Sequence, residues 1–93
     1  MSQPSKLGGG DSQAKVVVAT MSNCTHCDSA KTAFANDPNF NIIQCHGPNA
    51  IDPNHPMAKH CKAEGFPTFK KADGSTCAVG FGGNADEIRK KCL

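Results

Sequence analysis

The feature that most constrains this chain is Cys24-Thr25-His26-Cys27, placed where an apolar β-branched run gives way to a helical pattern. Val16-Val17-Val18-Ala19-Thr20 reads as a buried strand. Asp28 to Asn36 reads as a helix whose small apolar face repeats at Cys27, Ala30, Ala33 and Phe34. A C-x-x-C at such a junction puts its first sulfur at the amino end of the helix. There, unpaired N–H groups and the positive end of the helix dipole favour a thiolate. The second cysteine, three residues on, faces the same side and can close a disulfide within the usual Cα separation of roughly 4.4–6.8 Å. Position and spacing together point to a reversible redox pair rather than a structural staple.

The punctuation downstream divides the rest into short elements. Asp37-Pro38-Asn39 stops the helix, because proline cannot continue it. Phe40 to Cys45 reads as a second strand, bounded by His46-Gly47-Pro48-Asn49. A short helix is expected from about Met57 to Glu64, with Pro56 in its first turn and Gly65 as a left-handed cap. Phe66 to Lys70 and Thr76 to Phe81 read as two strands joined by a hairpin at Asp73-Gly74, where glycine accepts positive φ. Asn84, with Glu87 three residues on, caps a last helix whose inner stripe is Ala85, Ile88 and Cys92. The expected order is β-α-β-α-β-β-α. A parallel crossover first and an antiparallel hairpin last imply an α/β fold with a four-stranded mixed sheet covered by helices on both faces.

Composition bounds what such a fold could serve. Residues 1–13 are polar, contain three consecutive glycines and show no apolar period, so they read as a flexible arm ahead of a domain spanning 14–93. Net charge is only +2, and the basic runs Lys70-Lys71 and Arg89-Lys90-Lys91 are short. They read as a solvated hairpin edge and helix face rather than a nucleic-acid patch. No apolar stretch approaches ~18 residues, and no apolar core follows Lys6 at the N-terminus, so neither a membrane span nor a secretory signal is expected. The expected location is therefore the cytoplasm. Six cysteines would suit a secreted disulfide scaffold, but the strand–helix alternation can supply its own core. The expectation is one working pair and four free thiols, with Cys45, Cys61, Cys77 and Cys92 packing as small apolar residues. A zinc site from Cys45, His46, His55, His60 and Cys61 is chemically possible, but its spacings match no familiar knuckle. A Cys45–Cys61 disulfide also stays open.

Three landmarks resemble the thioredoxin-like superfamily in its minimal thioredoxin/glutaredoxin form. They are Cys24-Thr25-His26-Cys27, then Gly65-Phe66-Pro67-Thr68-Phe69, then Gly80-Phe81-Gly82-Gly83 opening into the last helix. The separations, 43 residues from Cys24 to Pro67 and 15 from Pro67 to Gly82, are close to those of thioredoxins. The resemblance covers about Ala14 to Leu93 and implies a thioredoxin-like three-layer sandwich. It implies thiol–disulfide exchange at Cys24 and Cys27, with Pro67 cis beside the pair. It further implies a substrate site at Thr25, Phe66, Pro67, Gly82 and Gly83. His26 would stabilise the Cys24 thiolate, making the pair less reducing than that of thioredoxin. The expected partner is a protein carrying a disulfide or dithiol. Glutathione or a reductase would recycle the pair, no cofactor or metal would be held, and the chain would be a monomer.

The chain departs from both subfamilies. Met21 stands where glutaredoxins usually have a lysine for glutathione, and Phe66 where they have valine. Asn23 replaces the tryptophan usual in thioredoxins, and the first strand carries no buried aspartate. A rival reading from another class uses the same C-x-x-C to hold a metal or iron–sulfur cluster.

Overall fold

The computed structural model describes residues 14–93, so the expected arm at 1–13 lies outside the described residues. Strand β1 (Val16–Met21) leads through helix α1 (Thr25–Phe34) to β2 (Phe40–His46). A 3₁₀ helix (Pro56–Cys61), strands β3 (Thr68–Lys71) and β4 (Thr76–Val79), and helix α2 (Ala85–Cys92) complete the chain. The sheet order is β2-β1-β3-β4. β1 runs parallel to β2 and antiparallel to β3, and β3 is antiparallel to β4. The fold is thus mixed α/β around a four-stranded mixed sheet, as the element pattern implied.

The central position of β1 explains its unbroken apolar run, since a strand covered on both faces has no solvent side to alternate with. Val16 and Val18 face a cluster with Ala30 and Phe34 of α1, Phe40 and Phe69 of the sheet, Phe81, and Ile88 and Cys92 of α2. Val17 and Ala19 face the opposite way, with Ile43, Cys45, Ile51, Met57, Cys61 and Phe66. Two helices therefore cover one face and the 3₁₀ segment the other. Phe34 organises the larger cluster, stacking on Phe40 at 4.2 Å and meeting Phe69 and Phe81 edge-on at 5.6 and 5.7 Å. Arg89 closes its outer side, with its guanidinium 5.3 Å from the Phe34 ring centre and its Nε 3.0 Å from Asp37.

The structure corrects several expectations. The second helix is 3₁₀, begins at Pro56 and ends at Cys61, and Lys62 is already extended. Gly65 is not its cap. The chain needs the residues after Cys61 to reach Pro67 at the head of β3, so the helix cannot run on to Glu64. Helix α1 starts three residues earlier than the apolar period suggests, because Cys24 itself caps it, and Ala33 is exposed rather than on the inner face. Lys70 is no solvated edge: it is buried, and its Nζ donates to the Lys62 carbonyl.

The four remaining cysteines are not free thiols. Cys45 is bonded to Cys61 and Cys77 to Cys92, with Cα separations of 5.6 and 5.3 Å. Their apolar placing agrees with the sequence reading, which left the Cys45–Cys61 pairing open and did not foresee Cys77–Cys92. Proximity between a strand and a helix from different parts of the chain is a tertiary property that one-dimensional spacing does not carry. The Asp73-Gly74 hairpin forms as expected, with Gly74 at φ +94° and Asp73 Oδ1 accepting the Ser75 N–H at 2.9 Å.

Candidate active site

Cys24 is the N-cap of α1. Its backbone is extended (φ −132°, ψ 106°) and its Sγ accepts the Cys27 N–H at 3.1 Å, so the sulfur occupies the place a capping oxygen usually takes. Asp28 N–H donates to the Cys24 carbonyl at 3.0 Å, closing the first turn. Cys24 and Cys27 are disulfide-bonded, with a Cα separation of 5.1 Å. Cys24 is half-buried and Cys27 has no exposed surface. An attacking group can reach the first sulfur and not the second. When reduced, Cys24 would keep a backbone N–H and the helix dipole directed at its sulfur, the arrangement that favours a thiolate.

The loop before Cys24 is held by unusual backbone. Asn23 takes a left-handed conformation (φ 55°), which asparagine tolerates better than most residues. Ser22 N–H donates to the His46 carbonyl at 3.2 Å. Gly47 (φ +95°) lies so close to this loop that a Cβ there would sit 2.0 Å from Ser22 Oγ and 2.6 Å from Ser22 Cβ. The end of β1 is thus clamped onto the end of β2.

The segment preceding β3 forms the other wall. The Phe66–Pro67 peptide is cis, Pro67 is buried, and the Phe66 carbonyl oxygen lies 3.8 Å from Cys24 Sγ. This contact can become a hydrogen bond only when Cys24 is a thiol, since a disulfide sulfur has no proton to donate. Thr68 Oγ1 donates to the Gly65 carbonyl, and Gly80 N–H donates to the Pro67 carbonyl at 2.7 Å. Among the described residues the Phe66 N–H has no backbone partner.

The other expected site residues divide. Thr25 and Gly83 line one shallow groove of about 500 Å³ with Asp28, Ser29, Thr32, Ala33 and Phe81. Gly82 is exposed next to this groove but does not line it. Asp86, in the first turn of α2, is engaged by Arg89 at 3.1 Å. His26 is exposed on the first turn of α1, and among the described residues no hydrogen bond joins it to Cys24. The residues weighed as zinc ligands are dispersed into other roles. Cys45 and Cys61 are bonded to each other, His55 Nδ1 accepts the Met57 N–H at 3.0 Å, and His60 is buried.

One residue stands at the site in a role the sequence reading did not give it. His46, read as a strand boundary and weighed as a zinc ligand, places its ring edge-on to Phe66 at 5.4 Å. The pairing of β1 and β2 slips between Thr20 and Met21, so Met21 faces His46 instead of Cys45. Such a bulge has no signature in hydrophobic alternation, and nothing in the sequence pointed to it.

Compared with protein-family models, curated proteins and solved structures, the chain matches none. No helix among the described residues is long and apolar enough to cross a membrane.

Proposed function

We propose that this chain is a thiol–disulfide oxidoreductase of thioredoxin-like fold, exchanging disulfides with protein thiols through Cys24 and Cys27. The observation that carries the reading is the capping sulfur of Cys24. It is accessible, it is bonded to a buried partner, and it lies 3.8 Å from the carbonyl of the residue before Pro67. A purely structural disulfide needs neither the helix amino end nor the asymmetric exposure. Sheet order and the side on which each helix packs support the fold assignment.

In the oxidising direction, a substrate thiolate attacks Cys24 Sγ and breaks the Cys24–Cys27 bond. Cys27 leaves as a thiolate and takes up a proton. The second substrate thiolate then attacks the substrate sulfur of the mixed disulfide and releases Cys24 as a thiolate. Two electrons pass from the substrate dithiol to the pair, and a substrate disulfide forms. The reverse sequence reduces a substrate disulfide. An extended substrate can pair with the unpartnered N–H of Phe66 in the manner of an added strand. His26 is the residue we assign to tuning Cys24, and glutathione or a reductase the role of recycling the pair. The other cysteines bear on the compartment. The cytoplasmic expectation rested on finding neither a membrane span nor a secretory signal, and the four free thiols were expected along with it. Two further disulfides fit an oxidising compartment, or a source whose cytoplasm tolerates disulfides, better than a strongly reducing cytosol.

The test is a trapping experiment. Reduced Cys27→Ser, offered a disulfide-bonded protein, accumulates a mixed disulfide mapped by mass spectrometry to Cys24, while Cys24→Ser accumulates none. Equal adducts in both variants, or none in either, would overturn the proposal.

A further inference from the structure

The exposed ring of His46 has no task in the exchange chemistry, caps no helix, and makes no side-chain hydrogen bond among the described residues. It is nevertheless held in place from several directions. Its carbonyl accepts the Ser22 N–H, and Gly47 beside it packs against Ser22, two residues before Cys24. Cys45, immediately before it, is bonded to Cys61, and six residues beyond Cys61 the chain reaches Pro67. The imidazole stands at 88° to the half-buried Phe66 ring, and the carbonyl of Phe66 touches the sulfur that reacts. Two flat side chains therefore meet at a right angle, and one of them belongs to the residue whose carbonyl Cys24 contacts.

We propose that His46 and Phe66 form the selectivity corner of this site, receiving an aromatic side chain within two residues of the substrate cysteine. The inference rests on the oxidoreductase reading and names its substrate class: extended protein segments with an aromatic residue beside the reacting thiol. The occupant follows from the geometry. A third ring lying against one wall presents its edge to the other, the offset and edge-to-face arrangements aromatic groups prefer at centroid separations of roughly 4.5–7 Å. A branched aliphatic chain would gain burial from the Phe66 face but no oriented contact with the imidazole. The Cys45–Cys61 disulfide acts here as a positioning device, tying the strand that ends in His46 to the segment that delivers Phe66.

The test uses the full oxidised chain and two dithiol peptides that differ only in phenylalanine or alanine beside the first cysteine. Rates of peptide oxidation are measured, with Cys24→Ser subtracting any reaction at the other two disulfides. The wild type should prefer the phenylalanine peptide by about fivefold, the scale of one aromatic contact. His46→Ala should bring that ratio close to one, and His46→Phe, which keeps a flat ring, should retain it. Equal rates for the two peptides in the wild type, or an undiminished ratio in His46→Ala, would overturn the corner. Dithiothreitol separates the two levels of the argument. A wild type that oxidises it through Cys24 yet shows no peptide preference loses only the corner, whereas one inert to it loses the oxidoreductase reading as well.

Discussion

His60 offers the sharpest test of the packing behind the site. It lies on the 3₁₀ helix, is only 2% exposed, and its Nδ1 has no hydrogen-bond partner among the described residues. Burial pushes its pKa below the ordinary value of 6.5, and the nearby cations of Lys59 and Lys70 push it further in the same direction. Lys70 is itself buried, and its Nζ donates to the Lys62 carbonyl. A depressed pKa in the folded state means the unfolded chain binds the proton more readily. The stability attached to a neutral His60 is therefore fully present above pH 6.5 and is lost as pH falls from there towards the folded-state value. The loss between about pH 7.5 and 5.5 is at most ~1.4 kcal/mol, one histidine's full linkage over that window. At a urea m-value of about 1–1.5 kcal/mol/M, this limit corresponds to a fall of roughly 1 M in the midpoint. The assay is urea unfolding of the oxidised protein at both pH values, for the wild type and for His60→Leu. The variant should lose this part of the pH dependence. At neutral pH it should match or exceed the wild type in stability, since it removes an unpaired buried polar atom worth about 1–3 kcal/mol. Identical pH dependence in the two proteins would refute the reasoning.

Two further outcomes test the scaffold. Gly47→Ala should destabilise the fold by about 1–3 kcal/mol, because it combines a left-handed backbone with a Cβ driven into Ser22. It should also slow exchange at Cys24, measurable as a reduced rate of insulin-type disulfide reduction, and an unaltered midpoint and rate would show that the clamp is dispensable. Replacing Cys77 and Cys92 with alanine opens a link with a sequence separation of 15 and should cost about 3 kcal/mol by loop-closure entropy. Because this link lies on the β4–α2 flank, the Cys27→Ser trap should still form in that background, and its loss would place Cys77–Cys92 in the chemistry.

Much of the architecture was legible because it is written in local signals. The apolar run at Val16–Ala19, the stop at Asp37-Pro38, the Asp73-Gly74 turn and the Asn84 cap each work through a few neighbouring residues, and each appears where the pattern put it. The second helix was misjudged because its end is set by a distant requirement, the approach of Phe66 and Pro67 to Cys24. The four supposed free thiols were misjudged for the same reason. Cys45 and Cys61, and Cys77 and Cys92, lie on different elements, and only their packing shows that each pair is within bonding distance. Lys70 read as a surface residue because lysine usually is one, and only the fold provides the Lys62 carbonyl that accepts its ammonium.

By itself, the sequence determined the α/β kind of fold and the place of the C-x-x-C at a helix amino end. Periodicity and turn chemistry act over a handful of residues, and a C-x-x-C between strand and helix puts a sulfur at a helix amino end wherever the rest of the chain goes. The tertiary structure alone decided what surrounds that sulfur. The bulge that turns His46 towards Phe66, the Gly47–Ser22 contact and the two cross-element disulfides all depend on which strands pair and in what register. Register is a balance of contacts summed over the whole sheet, so no local stretch of residues encodes it.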